Sequence, residues 1–257
     1  MSDLTAAYEI LRAKVGGHGY PLVFATVSGA HLYGFPSVDS DYDLRGSHLL
    51  PLAELVGLDS APETIESTSV ERGLEVDLVT HDLKKFVSLM LRNNGYVLEQ
   101  LYSPFVVSTT PVHDELKKLG SGCITKNHAR HYQGFASSQW SLFRRETPPR
   151  VKPLLYVLRV LLTGTWLMRT GRIEANLQVL NQEFNLSYVV DLISRKKEGR
   201  EQERLSGDEI DFFQGEFDRL SGSLEDAYIK SSLRDEPSSR DALDRLLIRT
   251  RLATIER

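Results

Sequence analysis

The chain has 257 residues, 41% hydrophobic and 26% charged, with a formal net charge of −4 and one cysteine, Cys123. That composition is typical of globular proteins and excludes collagen-like, coiled-coil and disordered chains, and a lone cysteine excludes an internal disulfide or a multi-cysteine metal site. Arg159 interrupts the oiliest stretch, residues 154–168, so no apolar run reaches the ~18 residues of a membrane span. The first residues lack the pattern of a secretory signal, and a cytoplasmic protein with no membrane partner is expected.

In chain order, residues 4–15 read as a short amphipathic helix stopped by Gly16-Gly17. Residues 20–28 are apolar and β-branched and predict a buried strand. Residues 29–40 carry Gly29, Gly34, Pro36 and three serine or aspartate turn formers, which predict a turn with a short helix and a loop. Residues 41–49 predict a second strand, and Pro51 the start of a short helix. Thr64–Val70 and Leu74–Thr80 alternate and predict two strands joined near Glu71-Arg72-Gly73. Asp82 suits the N-cap of a helix over 83–91. Further helices are expected near 96–102, 112–119, 126–145, 152–170, 173–181, 187–197, 207–229 and 237–255, with a polar linker or exposed helix end at 195–206. A strand-rich first third followed by helices implies an α+β fold with its junction near 108–125.

The net charge is an average over unlike segments. Residues 1–125 sum to −7, residues 126–172 to +8 and residues 173–257 to −5. A compact basic stretch in an acidic chain suits a polyanion, or is a solvated helix face.

The chemistry concentrates in Ser28-Gly29-Ala30-His31-Leu32-Tyr33-Gly34-Phe35-Pro36-Ser37-Val38-Asp39-Ser40-Asp41-Tyr42-Asp43-Leu44-Arg45-Gly46. Asp41 and Asp43 are two apart on a predicted strand, so they share a face with Cα atoms about 6.6 Å apart. Carboxylates so spaced can converge on a pair of divalent ions; unpaired on a buried face they would repel each other. Gly29 ends the first strand just before a short helix, where the absence of a Cβ lets a phosphate approach backbone N–H groups. Asp77, flanked by apolar residues on a predicted strand, is the candidate third carboxylate, with Glu75 on the same face as the fallback.

These residues resemble the DNA polymerase β-like nucleotidyltransferase superfamily, whose signature is hG[GS], about ten residues, DhDh, then a later h[DE]h. The longer string, with VDLVTHDLKKF, NNGYVLEQLYSP and KPLLYVLRVLLTGTWLMRTG, more narrowly resembles the RNA repair pathway DNA polymerase beta family. The resemblance implies an N-terminal mixed-sheet, polymerase β palm-like catalytic domain over 1–115 and an all-helical domain over 116–257. It implies two Mg²⁺ ions, with Mn²⁺ as an alternative, on Asp41, Asp43 and Asp77, and an NTP substrate. Ala30 departs from the pattern, leaving backbone N–H groups near Gly29, or Ser28 or Ser40, to hold the triphosphate.

Lys152, Tyr156 and Arg159 fall at i, i+4 and i+7 on one face of an otherwise apolar helix. Such cations need a partner; a triphosphate satisfies them and the tyrosine can pack on a sugar or base, while a snorkelling or ion-paired face is the alternative. His128 and His131 at i, i+3 could bind a metal but have no third ligand nearby; with Lys126, Arg130 and Arg150 they better suit a polynucleotide surface. Asn94 and Glu99 are candidates for the cleft or for capping and packing.

The expected activity is Mg²⁺-dependent transfer of a nucleoside monophosphate to an acceptor hydroxyl, with an RNA 3′ end as acceptor and pyrophosphate as product. The alternatives are transfer to a protein or small molecule, and a nucleotide- or RNA-binding module without turnover.

Overall fold

A computed structural model describes residues 2–59, 61–199 and 204–253, without the side chains of residues 2–6. In chain order the elements are α1 (Ser2–Gly16), β1 (Leu22–Val27), α2 (Gly29–Tyr33), β2 (Tyr42–His48), α3 (Leu52–Val56), β3 (Thr64–Glu71), β4 (Leu74–Asp82), α4 (Leu83–Leu91), α5 (Gly95–Tyr102) and β5 (Val106–Ser108). There follow α6 (Pro111–Gly120), a single 3₁₀ turn at Ser121–Cys123, α7 (His128–Arg145), α8 (Val151–Thr170), α9 (Leu177–Phe184), α10 (Ser187–Gly199), α11 (Gly207–Lys230) and α12 (Arg240–Leu252). The chain is α+β, and by contacts it divides into two compact units. One holds residues 1–29, 41–123 and 236–257; the other holds 30–40 and 124–235.

The first unit is built on a five-stranded sheet in the order β3-β4-β2-β1-β5. Only β2 and β4 run parallel; the other pairings are antiparallel. Five of the six residues of β1 are buried, as an apolar strand with partners on both sides requires. Leu11 and Val15 of α1 pack on Ala25, Val27, Leu44, Val76 and Leu78 from the sheet. Phe24 meets Phe86 edge-on at 5.2 Å and stacks on His113 at 4.3 Å. Asp82 caps α4 as expected, its Oδ1 accepting from the Lys84 N–H at 2.9 Å. Arg251 of α12 reaches the same carboxylate at 2.6 Å and the Leu50 carbonyl, also at 2.6 Å. The predicted all-helical remainder is thus amended in one place: β5, only three residues long, lies beyond the strand-rich third. The helix predicted over 237–255 runs from Arg240, and its last two predicted residues lie outside the described ones.

The second unit is a helical assembly around α8, which packs against α7, α9, α10 and α11. By length and composition α8 could cross a membrane, but 78% of its apolar window is buried. Gly164 lets Tyr132 and Leu224 close on it: an added Cβ would stand 3.0 Å and 3.1 Å from their side chains. Helix α9 begins at Leu177, four residues later than predicted, because the Asn176 side chain caps it by accepting from the Gln178 and Val179 N–H groups. Of the two readings of residues 195–206, the exposed helix end holds over the first part, where Lys197 and Glu198 are exposed, with Lys196 as the exception. Residues 195–199 continue α10 and Lys196 is fully buried, while residues 200–203 lie outside the described ones.

Candidate functional site

In the first unit, β2 and β4 run parallel with Asp43 directly opposite Asp77. The alternation of side chains puts both on the face opposite Leu44, Val76 and Leu78, which enter the core. Two carboxylates on neighbouring strands repel unless a cation stands between them. Arg45, two residues after Asp43 on the same face, supplies one: its Nη2 lies 2.5 Å from Asp43 Oδ1 and 2.9 Å from Asp77 Oδ2. Its Nη1 donates to the Leu44 carbonyl at 2.9 Å and the Asp77 carbonyl at 2.8 Å. Thr68 Oγ1 donates to the other Asp77 oxygen at 3.0 Å.

Gly29, two residues past β1 and the first of α2, closes the site. Its φ is +59°, and an added Cβ would lie 1.7 Å from Asp43 Oδ2, so only glycine fits there. The Ser28 N–H donates to the Asp43 carbonyl at 2.8 Å, tying the strand end to the carboxylate's own backbone. Asp41 is half-buried one residue before β2. Among the described residues no three His, Cys, Asp or Glu side chains gather into a metal-holding group. The structure therefore brings together Gly29, Asp43 and Asp77 and leaves Asp41 outside that convergence. Glu75 is exposed near the start of β4.

The shared position filled by the Arg45 guanidinium tests whether a cation fits here. Asp43 Oδ1 and Asp77 Oδ2 both reach one positively charged nitrogen, and both are hard oxygen donors of the kind Mg²⁺ and Mn²⁺ take. The pair has the donor chemistry that a divalent ion takes. His81, farther along β4, is kept neutral: burial first, then the Lys85 and Arg45 charges, lower its pKa to about 4.

In the second unit, Ser40 accepts from the Ser37 N–H at 3.0 Å and donates its own N–H to the Ser37 carbonyl at 3.1 Å. Lys196 Nζ caps this turn, 3.0 Å from Ser37 Oγ and 3.5 Å from Ser40 Oγ. Lys152 and Tyr156 line a groove of 510 Å³ with Phe135, Leu142, Arg145 and Arg150. Tyr156 also meets Tyr33 and Phe35 edge-on, at 5.6 Å and 5.5 Å. Arg159 does not share that groove. It is wholly buried, with its guanidinium 3.9 Å over the Tyr33 ring.

Two members of the basic segment pair with acids. Lys126 pairs with Asp235 at 2.7 Å and Arg150 with Glu146 at 2.5 Å. Counted over its own residues the second unit carries a net charge of only +1, against −5 for the first. His128 is buried, with its Nδ1 beside the Thr125 carbonyl at 3.1 Å, and burial lowers its pKa to about 4. Asn94 is the N-cap of α5, accepting from the Tyr96 N–H at 3.0 Å, and Glu99 is buried.

Two residues were missed in the sequence reading. Arg45 carried a signal, since i, i+2 spacing from Asp43 on a strand puts it on the same face. Lys196 carried none, because its burial depends on a turn about 160 residues away in the chain.

The sequence profile of the RNA repair pathway DNA polymerase beta family matches residues 5–249. The Methanocaldococcus jannaschii protein MJ0002, described as uncharacterised, is 28% identical over 222 residues, covering 84% of this chain and 88% of its own length. The Bacillus subtilis protein YcgL, likewise described as uncharacterised, is 25% identical over 243 residues, covering 91% and 90%. With the profile spanning nearly the whole sequence, the chain belongs to the RNA repair pathway DNA polymerase beta family.

Proposed function

We propose that the protein is a Mg²⁺-dependent nucleotidyltransferase that moves a nucleoside monophosphate from an NTP to the 3′-hydroxyl of RNA. The observation that carries this reading is the in-register pair of Asp43 and Asp77 closed by Gly29. Asp43 and Asp77 would hold Mg²⁺, and Asp41, adjoining β2, would add a ligand as the site fills. Bound there, divalent ions lower the acceptor hydroxyl's pKa and stabilise charge on the in-line phosphoryl transition state. In the transfer the acceptor oxygen bonds to the α-phosphorus, the bond from that phosphorus to the bridging oxygen breaks, and pyrophosphate leaves. Asp77 would take up the hydroxyl proton.

In the first unit the Ser28 hydroxyl and the backbone at Gly29, where no Cβ stands in the way, would receive the triphosphate. In the second unit the groove around Lys152 and Tyr156 would take an anionic ligand, Lys152 meeting its charge and Tyr156 packing on a sugar or base. Arg159, being buried on Tyr33, would support the loop of residues 30–40 instead of reaching the phosphates. A protein or small-molecule acceptor is the second reading. The pairing of Lys126 and Arg150 with acids favours it, because it leaves fewer charges for a polynucleotide.

The test is incubation with each α-labelled NTP, Mg²⁺ and either an RNA pool or cell protein. Label on RNA, weakening on the order of a hundredfold between 50 and 200 mM salt, is expected. Label on protein with a flat salt response supports the second reading, and no label with any acceptor contradicts both.

A further inference from the structure

The four carboxylate oxygens of Asp43 and Asp77 are not equally accessible to a metal ion. Asp43 Oδ2 is turned against Gly29, where even a Cβ would not fit. Asp77 Oδ1 accepts from Thr68. The two remaining, Asp43 Oδ1 and Asp77 Oδ2, are the pair that could share one ion, and both are engaged by Arg45 Nη2, at 2.5 Å and 2.9 Å. An ion entering between them meets a guanidinium already seated. That guanidinium is doubly fixed, because Nη1 is bound to the Leu44 and Asp77 carbonyls, 2.9 Å and 2.8 Å away. These backbone bonds do not involve the carboxylates, so they can keep Arg45 beside the site when Nη2 lets go.

We propose that Arg45 is a resident cation, a positioning residue that holds Asp43 and Asp77 together before metal binding and is exchanged for the divalent ion. This rests on the metal-dependent reading above and adds a specific cost to it. Metal affinity is set by a competition in which the acids exchange one cation for another. Without Arg45 the two carboxylates face each other uncompensated, and a divalent ion gains all of the relief from their repulsion. The arrangement keeps the acids aligned in metal-free protein and lets the site release its ion readily.

A merely structural Arg45 predicts the opposite, since carboxylates that lose their alignment bind metal more weakly. The discriminating measurement is Mn²⁺ binding to the full chain, read from the loss of the free-ion electron paramagnetic resonance signal, with thermal denaturation alongside. Arg45→Gln is expected to bind Mn²⁺ at least tenfold more tightly than wild type. It should also melt lower without metal and gain more in Tm when Mn²⁺ is added. Arg45→Lys, which keeps a charge but loses the fork, should also bind more tightly than wild type and covers the case in which the glutamine variant does not fold. Equal or weaker binding by folded Arg45 variants, with wild type still binding and Asp43→Asn not, overturns the exchange while leaving the metal site standing. Equal Mn²⁺ binding by wild type and Asp43→Asn overturns the metal reading and the exchange together.

Discussion

Gly29 and Asp43 fit so closely that a methyl group on Gly29 would lie 1.7 Å from the Asp43 carboxylate oxygen. Three features of the chain meet in that contact: the end of β1, the second acid of the Asp41/Asp43 pair, and a backbone conformation in the left-handed region. Gly29→Ala has to push the carboxylate aside or bend the strand end. We expect transfer to fall about 100-fold or more from the misplaced carboxylate, with a stability cost of about 1–3 kcal/mol from the strained backbone. Transfer assays paired with thermal denaturation check this. A folded Gly29→Ala protein with wild-type turnover would show that Asp43 need not sit where it does.

The buried Lys196 ammonium holds the turn that ends one residue before Asp41, through Ser37 and Ser40. Lys196→Met removes hydrogen bonds to a charged group, each of which contributes about 1.5–3 kcal/mol. A loss of that size in urea-denaturation stability is expected, together with reduced transfer. An unchanged denaturation midpoint would mean that the serine turn is held by its own hydrogen bonds.

Asp82 is buried between the Lys84 N–H, the Leu50 N–H and the Arg251 guanidinium. Arg251→Ala leaves a buried carboxylate without its cation and should destabilise the protein by about 3–5 kcal/mol. Double replacement by Asp82→Asn and Arg251→Met should recover part of that loss. The comparison of both variants by denaturant unfolding checks whether the charge or the packing of α12 matters more.

Three buried imidazoles make stability fall in acid. Burial, above all, lowers the pKa of His48, His113 and His128 from 6.5 to about 4; His18 adds to the effect at His48, Lys117 at His113 and His131 at His128. In the unfolded chain these rings take up protons below about pH 6.5, while the folded rings stay neutral until about pH 4. The unfolded state therefore binds more protons in that window, and stability falls as pH drops from about 6.5 to about 4. Above pH 6.5 both states are neutral at these positions and their contribution is level. Urea midpoints at pH 7.5 and pH 5 should show a lower midpoint at pH 5, shifted less in His128→Gln. Equal midpoints would mean that the rings are reached by water.

The sheet of the first unit is largely legible in the sequence because its signals are local. Alternation marks β3 and β4, an apolar β-branched run marks β1, and glycine and proline mark the turns between strands. The apolar flanks of Asp77 singled it out, and its register with Asp43 is what the parallel pairing then adds. The strand β5 is too short, at three residues, to show a period. The +8 segment read as a basic surface, but Asp235 pairs with Lys126 across about 110 residues of chain, and no local pattern carries such a pairing. Arg159 was expected to face phosphates because its helical spacing matches Lys152 and Tyr156. That spacing gives a direction from the helix but not what fills it, and the Tyr33 ring fills it here. The burial of Lys196 has the same origin, a partner supplied by a distant turn.

If the Asp43–Asp77 pair carries nucleotide transfer, pyrophosphate release depends on Asp43. Wild type and Asp43→Asn, both shown to be folded by circular dichroism, would be given Mg²⁺, NTP and RNA, and pyrophosphate would be measured over time. Steady release by wild type and no release above background by Asp43→Asn are expected. Release by folded Asp43→Asn at a rate near that of wild type would contradict that dependence.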